Sequence, residues 1–467
     1  MQVSKFCVTL QNRNRGFRNG GCYFKLRNMR FFDRKEEIAT LRNIREKARV
    51  NAQFTVLAGR RRIGKTSLVL HAYSDEPIVY FFVGRKAENL LCDEFRQEVE
   101  AKLGVQLGGV PKNFAELFSY LMNLSAERSF TLFIDEFQNF ARVNPSVFSD
   151  MQRIWDLNHD ASLINLIVCG SMYSMMTSIF RDRKEPLYNR QNRFMTIRAF
   201  RPSVLKEILA EYSHGHTNED LLALYSVTGG VAKYVQLLVD DGALTADAII
   251  DAVVSPDSIF ISEGRSVLVE EFGKHYDTYF SILSAIASGK TRRNEIESVI
   301  GRQVGGHLSR LEDDYGIIAR EMPVYAKPLS KNAVYTIRDN FFTFWFRFIF
   351  KYAHILEIGG YSQLRQIIER DYATFSGLML ERYFRAKAAE QQTFTRIGRW
   401  WDRKGENEID IVAENEIDRT LLVCEVKRRR QNINMKTLEA KASRMLDTQP
   451  QLRGYALTCR PLSLADM

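Results

Sequence analysis

The segment FTVLAGRRRIGKTSLVLHAY, residues 54–73, decides the fold of this 467-residue chain. An apolar, β-branched run leads into the pattern Gly59-x4-Gly64-Lys65-Thr66, and a helix-like apolar stretch follows at once. This order of strand, loop and helix is the context that the phosphate-binding P-loop pattern requires. Its glycines let backbone N–H groups and the helix N-terminus meet phosphate oxygens. We therefore predict an ATP site at residues 59–67, with Ser67 among its contacts.

Two side chains of this loop have a predicted chemical role. Lys65 is expected to neutralise the β- and γ-phosphates of ATP, and the Thr66 hydroxyl is expected to hold Mg²⁺. The alternative is a strand-to-helix turn in which the glycines occur by chance. Arg60, Arg61 and Arg62 occupy variable loop positions, where a solvated arginine is common, and we predict no role for them.

Composition indicates a globular protein of several units. A length of 467 residues exceeds a single core, and 31 Phe with 19 Tyr exclude a disordered chain. The formal net charge of +10 fits a polyanionic partner or, equally, a solvated surface. The most apolar run, residues 341–353, contains Arg347 and falls short of the ~20 residues that cross a bilayer. We therefore expect a buried aromatic helix there and no membrane partner.

The cysteines and the N-terminal segment complete this picture. The 6 cysteines are scattered without a CxxC pair, which predicts reduced thiols in a cytoplasmic protein. Residues 1–28 are basic and rich in Asn and Gly, so we predict a disordered extension. Translation from Met1 and translation from Met29 are both compatible with the sequence.

Further apolar runs extend the fold around the loop. They lie at residues 78–83, 131–136, 163–170 and 194–200 and alternate with helix-like stretches. This alternation is typical of a parallel sheet covered on both faces, so the predicted fold class is α/β and multidomain. Beyond Pro202 the sequence turns helical, which predicts a lid on the sheet.

Polar residues follow two of these strands. Asp135 and Glu136 end a buried run, at the edge where open α/β sheets bind ligands. Asp135 is expected to contact Mg²⁺ through water and Glu136 to act as general base, and the alternative is a solvated acidic turn. Ser171 is a candidate γ-phosphate sensor or a helix cap. Arg190 is a candidate arginine finger, in cis or from a neighbouring copy, or a solvated arginine.

Six sequence blocks occur in the order found in one known family. They are FFDRKEEIATLRN, LAGRRRIGKTSL, LFIDEFQNF, CGSMYSMM, EPLYNR and TGGVAKY. Over about residues 29–240 they resemble the archaeal-type ATPases of the STAND branch of P-loop NTPases. The resemblance implies an ATPase with a helical lid and a winged helix, often acting as a switch. The family usually has proline in the last block, where this chain has Ala232.

Residues 277–340 read as three helices followed by a β-hairpin. That order is typical of a winged helix-turn-helix. Arg302, Gln303, His307 and Arg310 are expected along one exposed face of the third helix, directed toward a DNA groove. The acidic residues 312–314 would repel phosphate, so an interdomain spacer is the alternative.

The segment EIDIVAENEIDRTLLVCEVK, residues 408–427, is predicted to form a second hairpin. A two-residue turn centred on Ile417-Asp418 places Asp410 opposite Glu425, with Lys427 on the same face. The residues expected to face a core are Ile409, Ile411, Cys424 and Val426. Like charges directly opposite destabilise a hairpin, and a bound Mg²⁺ would offset their repulsion.

This hairpin also resembles the core of PD-(D/E)XK nucleases. The resemblance rests on the spacing Asp410-x14-Glu425-x-Lys427, and Glu381 on the preceding helix is a candidate for the additional acid. It implies metal-dependent DNA cleavage, with the two strand carboxylates as metal ligands and Lys427 orienting the nucleophile. The alternative is a cross-strand ion pair in an inert docking domain. The basic run 427–430 is either a phosphate contact or a solvated face.

These predictions combine into a Mg²⁺-dependent ATPase whose nucleotide state controls a winged helix and a nuclease-like domain that acts on DNA. One alternative is an ATP-driven switch that binds nucleic acid or protein and carries an inert docking domain. Another is an assembly scaffold, and self-association is compatible with each. The predicted units are an extension at 1–28, an ATPase domain at 29–200, a lid at 201–270, a winged helix at 271–340, a helical connector at 341–385 and the nuclease-like domain at 386–467.

Overall fold

A computed structural model describes residues 29–327 and 332–467. The extension predicted at residues 1–28 and the tip of the first hairpin, residues 328–331, lie outside the described residues. Within the described ranges, no helix combines the length and the apolar character needed to cross a bilayer. Cys92, Cys169, Cys424 and Cys459 are free thiols, as predicted.

A parallel sheet of five strands organises the N-terminal half. Its elements are α1 (Lys35–Ala48), β1 (Gln53–Ala58), α2 (Lys65–Ala72), β2 (Ile78–Phe82), α3 (Glu88–Leu103), α4 (Phe114–Glu127), β3 (Phe130–Asp135), α5 (Phe140–Val143), α6 (Ser146–Asn158), β4 (Ile164–Gly170), α7 (Tyr173–Arg181) and β5 (Arg193–Thr196). The strand order is β2-β3-β4-β1-β5, and every neighbouring pair is parallel. The five predicted strands are confirmed, although β5 ends at Thr196 and not at residue 200.

Both faces of this sheet are covered, as its continuous apolar strands predict. Phe54 and Val56 of β1 belong to one buried cluster, together with apolar residues of α3, α4 and α6. Leu57 belongs to a second cluster, shared with α1, α2 and the helices that follow the sheet. Because β1, β3 and β4 are parallel, their carboxyl ends meet at one edge of the sheet, where the predicted polar residues lie.

Helices follow the sheet and continue its core. They are α8 (Pro202–Tyr212), α9 (Asn218–Thr228), α10 (Ala232–Asp240), α11 (Ala246–Val253) and α12 (Ile259–Phe272). Next come α13 (Tyr276–Ala287), α14 (Arg293–Ile300), α15 (Gly305–Asp313), β6 (Ile318–Glu321) and β7 (Val334–Ile337), and the two strands pair antiparallel.

A helical connector leads to the C-terminal sheet. It contains α16 (Asn340–Phe344), a π-helical turn (Trp345–Phe350), α17 (Ala353–Glu357) and the 30-residue α18 (Tyr361–Glu390). The aromatic run at residues 341–349 is largely buried, in line with its composition. Because α18 is continuous through residues 385 and 386, the predicted domain boundary falls inside a helix.

The C-terminal sheet is mixed. Its elements are β8 (Arg396–Trp401), β9 (Glu408–Asn415), β10 (Thr420–Lys427), α19 (Met435–Asp447) and β11 (Ala456–Ser463), in the order β11-β10-β9-β8. β9 pairs antiparallel with β8 and β10, whereas β10 and β11 are parallel. Short 3₁₀ turns lie at Phe137–Asn139, Gly273–His275, Arg430–Asn432, Pro450–Leu452 and Leu464–Asp466.

The second predicted hairpin is present with one correction. Cys424 pairs with Ile411 and Thr420 with Asn415, which is the predicted register. The turn, however, comprises the four residues 416–419 and not two. Both turns share the same centre, so the register is unchanged.

Candidate functional site

The loop between β1 and α2 holds Lys65 in a buried position. Its Nζ donates hydrogen bonds to the carbonyl oxygens of Gly59, at 2.8 Å, and Arg60, at 3.1 Å. A side chain at Gly59 would place its Cβ 2.7 Å from the carbonyl oxygen of Ile197, and Gly64 has a φ of 92°. Both positions therefore require glycine. Burial lowers the pKa of Lys65, because the charged ammonium loses its contact with water.

Thr66 and Asp135 lie side by side at the edge of the sheet. The Thr66 hydroxyl donates to Oδ2 of Asp135 at 2.7 Å, and the Tyr80 hydroxyl donates to the same oxygen at 3.2 Å. Asp135 is only 5% exposed, and its Oδ1 accepts a hydrogen bond from the Cys169 thiol at 2.8 Å. Mg²⁺ prefers one or two such oxygens together with water and phosphate, so this pair fits the ion.

Glu136 and Ser171 are also close together, although Glu136 follows β3 and Ser171 follows β4. Oε2 of Glu136 accepts hydrogen bonds from the Ser171 hydroxyl, at 2.8 Å, and from Nε2 of Gln138, at 2.6 Å. Glu136 has a φ of 54°, which turns the chain sharply after β3. The sequence does not predict the contact of Gln138, because it depends on that turn.

These side chains line one cavity of about 640 Å³. Its walls include the predicted Gly64, Lys65, Thr66, Ser67, Asp135, Glu136 and Ser171. Contributions that the sequence analysis does not predict come from Phe31, Phe32 and Arg34 and from Lys233 and Gln236 of α10. Phe31, Phe32 and Arg34 belong to the FFDR block, and the presence of this block in the sequence could have indicated their place in the cavity. Ala232 lies in the same wall, where the related family usually has proline.

Arg190 does not line this cavity. Its guanidinium binds the carboxylate of Asp156 on α6, at 3.0 Å, and this hydrogen bond raises the pKa of Arg190. The guanidinium of Arg190 is therefore already paired with Asp156 at the surface. The role of Arg190 as an arginine finger, in cis or toward a neighbouring copy, stays a prediction.

The three loop arginines are paired rather than solvated. Arg60 forms an ion pair with Asp339, and its guanidinium lies 4.0 Å from the ring centre of Phe342. Its neighbours reach α12, where Arg61 pairs with Glu270 and Arg62 pairs with Glu263. The phosphate-binding loop is thus connected directly to α12 and to the start of the connector.

A second group of charged residues lies on the C-terminal sheet, as predicted. Nζ of Lys427 lies 3.0 Å from Oε1 of Glu425 and 3.5 Å from Oδ2 of Asp410. Asp410 is 6% exposed and accepts a hydrogen bond from the Val426 amide at 2.8 Å. Lys441 of α19, which the sequence does not predict, lies 3.1 Å from Oε2 of Glu425. Two lysines therefore offset the repulsion between the carboxylates.

Glu381 of α18 faces this group. Burial, followed by the charge of Asp410, raises the pKa of Glu381 to about 7, and its Oε2 has no hydrogen-bond partner in the described chain. Burial also raises the pKa of Asp410. Although burial acts to lower the pKa of Lys427, its carboxylate neighbours raise it. Across residues 29–327 and 332–467, no three His, Cys, Asp or Glu side chains are grouped to hold a metal.

The strand that carries Asp410 is irregular. Gly398 of β8 pairs with Val412 and Trp400 pairs with Ile409, so two steps along β8 match three along β9. As a result Ile409 packs with Trp400 and Val412, whereas Ile411 lies in the cluster on the other face. The prediction that Ile409 and Ile411 share a face is therefore wrong, because the register shift separates them.

The basic run after β10 is also mostly engaged in the protein. Arg428 pairs with Glu219 at 2.6 Å and bonds the Ser376 hydroxyl, which fixes the C-terminal sheet to α9 and α18. Arg430 pairs with Asp466 at 3.3 Å. Lys427 belongs to the carboxylate group. These three residues are thus neither free phosphate contacts nor a plain solvated face.

Of the predicted DNA-facing residues, His307 and Arg310 lie on α15, whereas Arg302 and Gln303 precede it, so the prediction that all four lie on this helix is wrong. Arg302, Gln303 and Arg310 are exposed, and His307 is half-buried against the ring of Tyr279. Burial and the nearby arginines lower the pKa of His307. The acidic Asp313 is exposed on the same helix. The structure thus keeps both signs of charge on this surface.

Two parts of the chain match known protein families. Residues 31–238 match a family described as an ATPase domain predominantly from Archaea, and residues 345–441 match a family of archaeal and bacterial proteins of unknown function. An uncharacterized protein of Methanocaldococcus jannaschii is 29% identical over 406 residues, which cover 85% of this chain and 87% of that protein. Residues 31–238 are therefore similar to an archaeal-type ATPase domain.

A solved structure shares the fold of this domain. The Walker-type ATPase of Pyrococcus abyssi aligns with a TM-score of 0.52 and 19% sequence identity, covering 68% of this chain and 96% of that chain. At this identity the similarity shows the fold alone. It agrees with the five-stranded parallel sheet, in which β4 lies between β1, the strand before the P-loop, and β3, the strand that carries Asp135.

Proposed function

We propose that this chain is a Mg²⁺-dependent ATPase of the STAND type whose nucleotide state controls a C-terminal half that acts on DNA. The observation that carries the ATPase proposal is the 2.7 Å contact between Thr66 and Asp135, in the cavity that Lys65 and Glu136 also line. A phosphate-binding lysine, two metal-compatible oxygens and a carboxylate base thus meet in one place.

Each of these residues has a defined part in hydrolysis. The Lys65 ammonium leaves the two carbonyls that it binds and neutralises the β- and γ-phosphates. Glu136, oriented by Ser171 and Gln138, accepts the proton of the water that attacks the γ-phosphorus, while the bond to the β-γ bridging oxygen breaks. When bound, Mg²⁺ supplies charge neutralisation at the phosphate oxygens.

The substitution Glu136→Gln tests this assignment. Loss of a positioned general base typically costs about 10²–10⁴-fold in rate, so we expect a fall in the kcat for ATP hydrolysis of that size. Binding of a fluorescent ATP analogue should persist, because the phosphate-binding loop is unchanged. Glu127→Gln, at an exposed position near the end of α4, is the matched control and should hydrolyse at the wild-type rate. Wild-type turnover by Glu136→Gln would refute the role of Glu136.

The loop arginines support control of the C-terminal half by nucleotide. Arg60 lies between the two glycines of the P-loop and pairs with Asp339, whose side chain caps the first turn of α16. Arg62 pairs with the buried Glu263 of α12. A rearrangement of the loop around phosphate would therefore change contacts at the start of the connector.

The charged group on β9 and β10 supports an action on DNA. Asp410, Glu425 and Lys427 converge as the nuclease-like spacing predicts, and Glu381 faces them from α18. In this proposal residues 276–337 form a winged helix, whose exposed Arg302 and other polar residues contact the DNA backbone. The alternative is an ATP-driven switch with an inert docking domain. It is favoured by the two lysines that already hold Glu425.

Incubation with plasmid DNA distinguishes these two functions. The full chain is incubated with Mg²⁺ or Mn²⁺, with and without ATP, beside Glu425→Ala and the control Glu439→Ala, an exposed residue of α19. Nicking that is lost only in Glu425→Ala would establish a metal-dependent nuclease, and an ATP effect would show control by the P-loop domain. No cleavage under any condition, with ATP hydrolysis intact, would favour the switch.

A further inference from the structure

A second cavity has a volume of about 350 Å³. None of its lining residues belongs to the P-loop or lines the nucleotide cavity. Its walls come from three parts of the molecule: the α13–β7 region, the connector with α18, and strands β8 and β9. The charged residues that line it are Arg292, Arg347, Arg382, Arg385, Arg399 and Glu408. Five guanidinium groups thus surround a space that contains one carboxylate.

The acids near this cavity do not balance the arginines. Glu408 pairs with Arg399, and Glu321 lies 3.9 Å from both Arg385 and Arg399. The charges of Glu381 and Asp410 also act on Arg399. In the described parts of the chain, the remaining three cavity arginines have no carboxylate oxygen within 4 Å. They are Arg292, Arg347 and Arg382. Like charges brought together away from water repel one another, so the protein alone leaves this cavity with excess positive charge.

Some of the residues that line this cavity also carry buried hydrogen-bond donors without acceptors. Nε of Arg347, Nε of Arg399 and Nε1 of Trp401 are buried and have no hydrogen-bond partner in the described chain. Trp401 lines the cavity and is only 6% exposed. A buried N–H without an acceptor is unfavourable, and here all three groups are donors. An anion with several acceptor oxygens would offset the positive charge of the arginines that line the cavity.

Phosphate is the anion that matches this arrangement. The guanidinium group presents a rigid fork of N–H donors, and its hydrogen bonds to phosphate oxygens are charge-assisted and strong. A volume of about 350 Å³ is at the lower end of small-ligand sites, so a duplex does not fit, whereas a phosphate group with a small substituent does. Tyr335 and Trp401 supply aromatic wall beside the charged groups.

We infer that this cavity is a phosphate-binding site distinct from the P-loop. Its ligand carries the phosphate either as a free phosphorylated small molecule or as the phosphorylated end of a DNA strand. Because the wall combines the α13–β7 region, α18 and the C-terminal sheet, the bound phosphate stabilises their packing. Glu408 in this wall is two residues before Asp410, so an occupied site borders the carboxylate group.

Isothermal titration calorimetry on the full chain tests this site. The probes are inorganic pyrophosphate, 5′-phosphorylated tetrathymidylate and the same oligonucleotide without phosphate. A Lys65→Ala background reduces binding at the P-loop, and within it Arg347→Gln and Arg382→Gln are compared with Arg370→Gln. Arg370 is an exposed arginine of α18 that pairs with Asp371, so it matches the change in charge outside the cavity.

We expect saturable binding of at least one phosphorylated probe, weakened about tenfold or more by each cavity substitution and unchanged by Arg370→Gln. If the cavity substitutions weaken the binding of pyrophosphate only, the ligand is a free small molecule. If they weaken the binding of the phosphorylated oligonucleotide only, the ligand is a DNA end. If a glutamine variant does not fold, Arg347→Lys and Arg382→Lys keep the charge but lose the fork and should bind at intermediate strength. The inference is wrong if neither phosphorylated probe binds, or if binding is equal in all variants.

Discussion

Single buried polar groups decide the chemistry of the nucleotide cavity. Asp135 accepts hydrogen bonds from Thr66, Tyr80 and Cys169, so its two oxygens are held in place before any ion binds. Burial raises the pKa of Cys169 well above its usual value, which keeps the thiol protonated and able to donate. The position of the metal-compatible oxygen thus depends on a neighbouring strand that a reading of β3 alone does not reveal.

Glu271 is a further acid of this region, and its environment has a consequence for stability. The backbone N–H and the hydroxyl of Ser174 donate to its Oε1, at 3.3 and 3.1 Å. Burial nevertheless raises the pKa of Glu271 from 4.5 to about 7. The folded protein therefore binds this proton more tightly than the unfolded chain does, and stability from this group is lost as the pH rises toward 7.

The substitution Glu271→Gln is expected to remove this pH dependence. Relative to the wild type, the free energy of unfolding of the variant should rise between pH 4.5 and pH 8, by at most about 3 kcal/mol. Urea unfolding at several pH values measures the difference. Glu127→Gln serves as the control and should give a curve parallel to the wild type. A parallel curve for Glu271→Gln would show that its carboxyl ionises normally.

Among the elements, α12 and the π-helical turn make an unusually close contact. Gly264 of α12 lies against the indole of Trp345, and a Cβ at this position would overlap the ring. Nε1 of Trp345 donates to the carbonyl oxygen of Ile261 at 2.9 Å, which holds the ring over the helix. The same helix carries Glu263 and Glu270, the partners of the loop arginines. The close contact therefore sets where those acids lie.

Gly264→Ala is expected to destabilise the protein by about 1–3 kcal/mol, because the added methyl group forces the helix and the π-helical turn apart. Thermal unfolding measures the effect. Gly377→Ala, within α18, is the matched control, since nothing lies within 4 Å of a Cβ there. It should stabilise the helix by about 0.5–1 kcal/mol. Equal effects of the two substitutions would contradict the packing argument.

At the scale of the whole molecule, one apolar cluster runs from the sheet to the C-terminal strands. Leu57 of β1, Phe341 of α16 and Ile411 of β9 all belong to it. Polar contacts add to this continuity, because Arg428 of the C-terminal region pairs with Glu219 of α9. A change at the phosphate-binding loop is therefore not insulated from the second half of the chain.

The ion pair between Arg60 and Asp339 should carry much of this coupling. We expect a non-hydrolysable ATP analogue to slow amide hydrogen exchange in α16 about tenfold in the wild type and much less in Arg60→Gln. Asp339→Asn removes the charge at the other end of this half-buried pair and is a second test. Arg96→Gln is the control, because it removes an arginine whose partners, Asp93 and Glu100, lie in its own helix. Protection that persists in Arg60→Gln would place the coupling elsewhere.

The sequence by itself determined the features that depend on local spacing. The five strands, the P-loop residues from Gly59 to Ser67, and the register that brings Asp410 near Glu425 follow from strand period, turn position and loop pattern. The match of residues 31–238 to an archaeal ATPase family agrees with these local signals. Each concerns residues that are close in the chain or adjacent in a ladder, where backbone geometry leaves few alternatives.

Only the tertiary structure decided contacts between distant segments. The pairing of Arg60 with Asp339, the approach of Lys441 to Glu425 and the engagement of Arg190 by Asp156 join residues from different elements. Long charged side chains have many partners within reach, and no periodicity selects among them. The register shift that separates Ile409 from Ile411 likewise depends on pairing with β8. These contacts are set by how whole helices and sheets pack, a result of burial summed over the entire core.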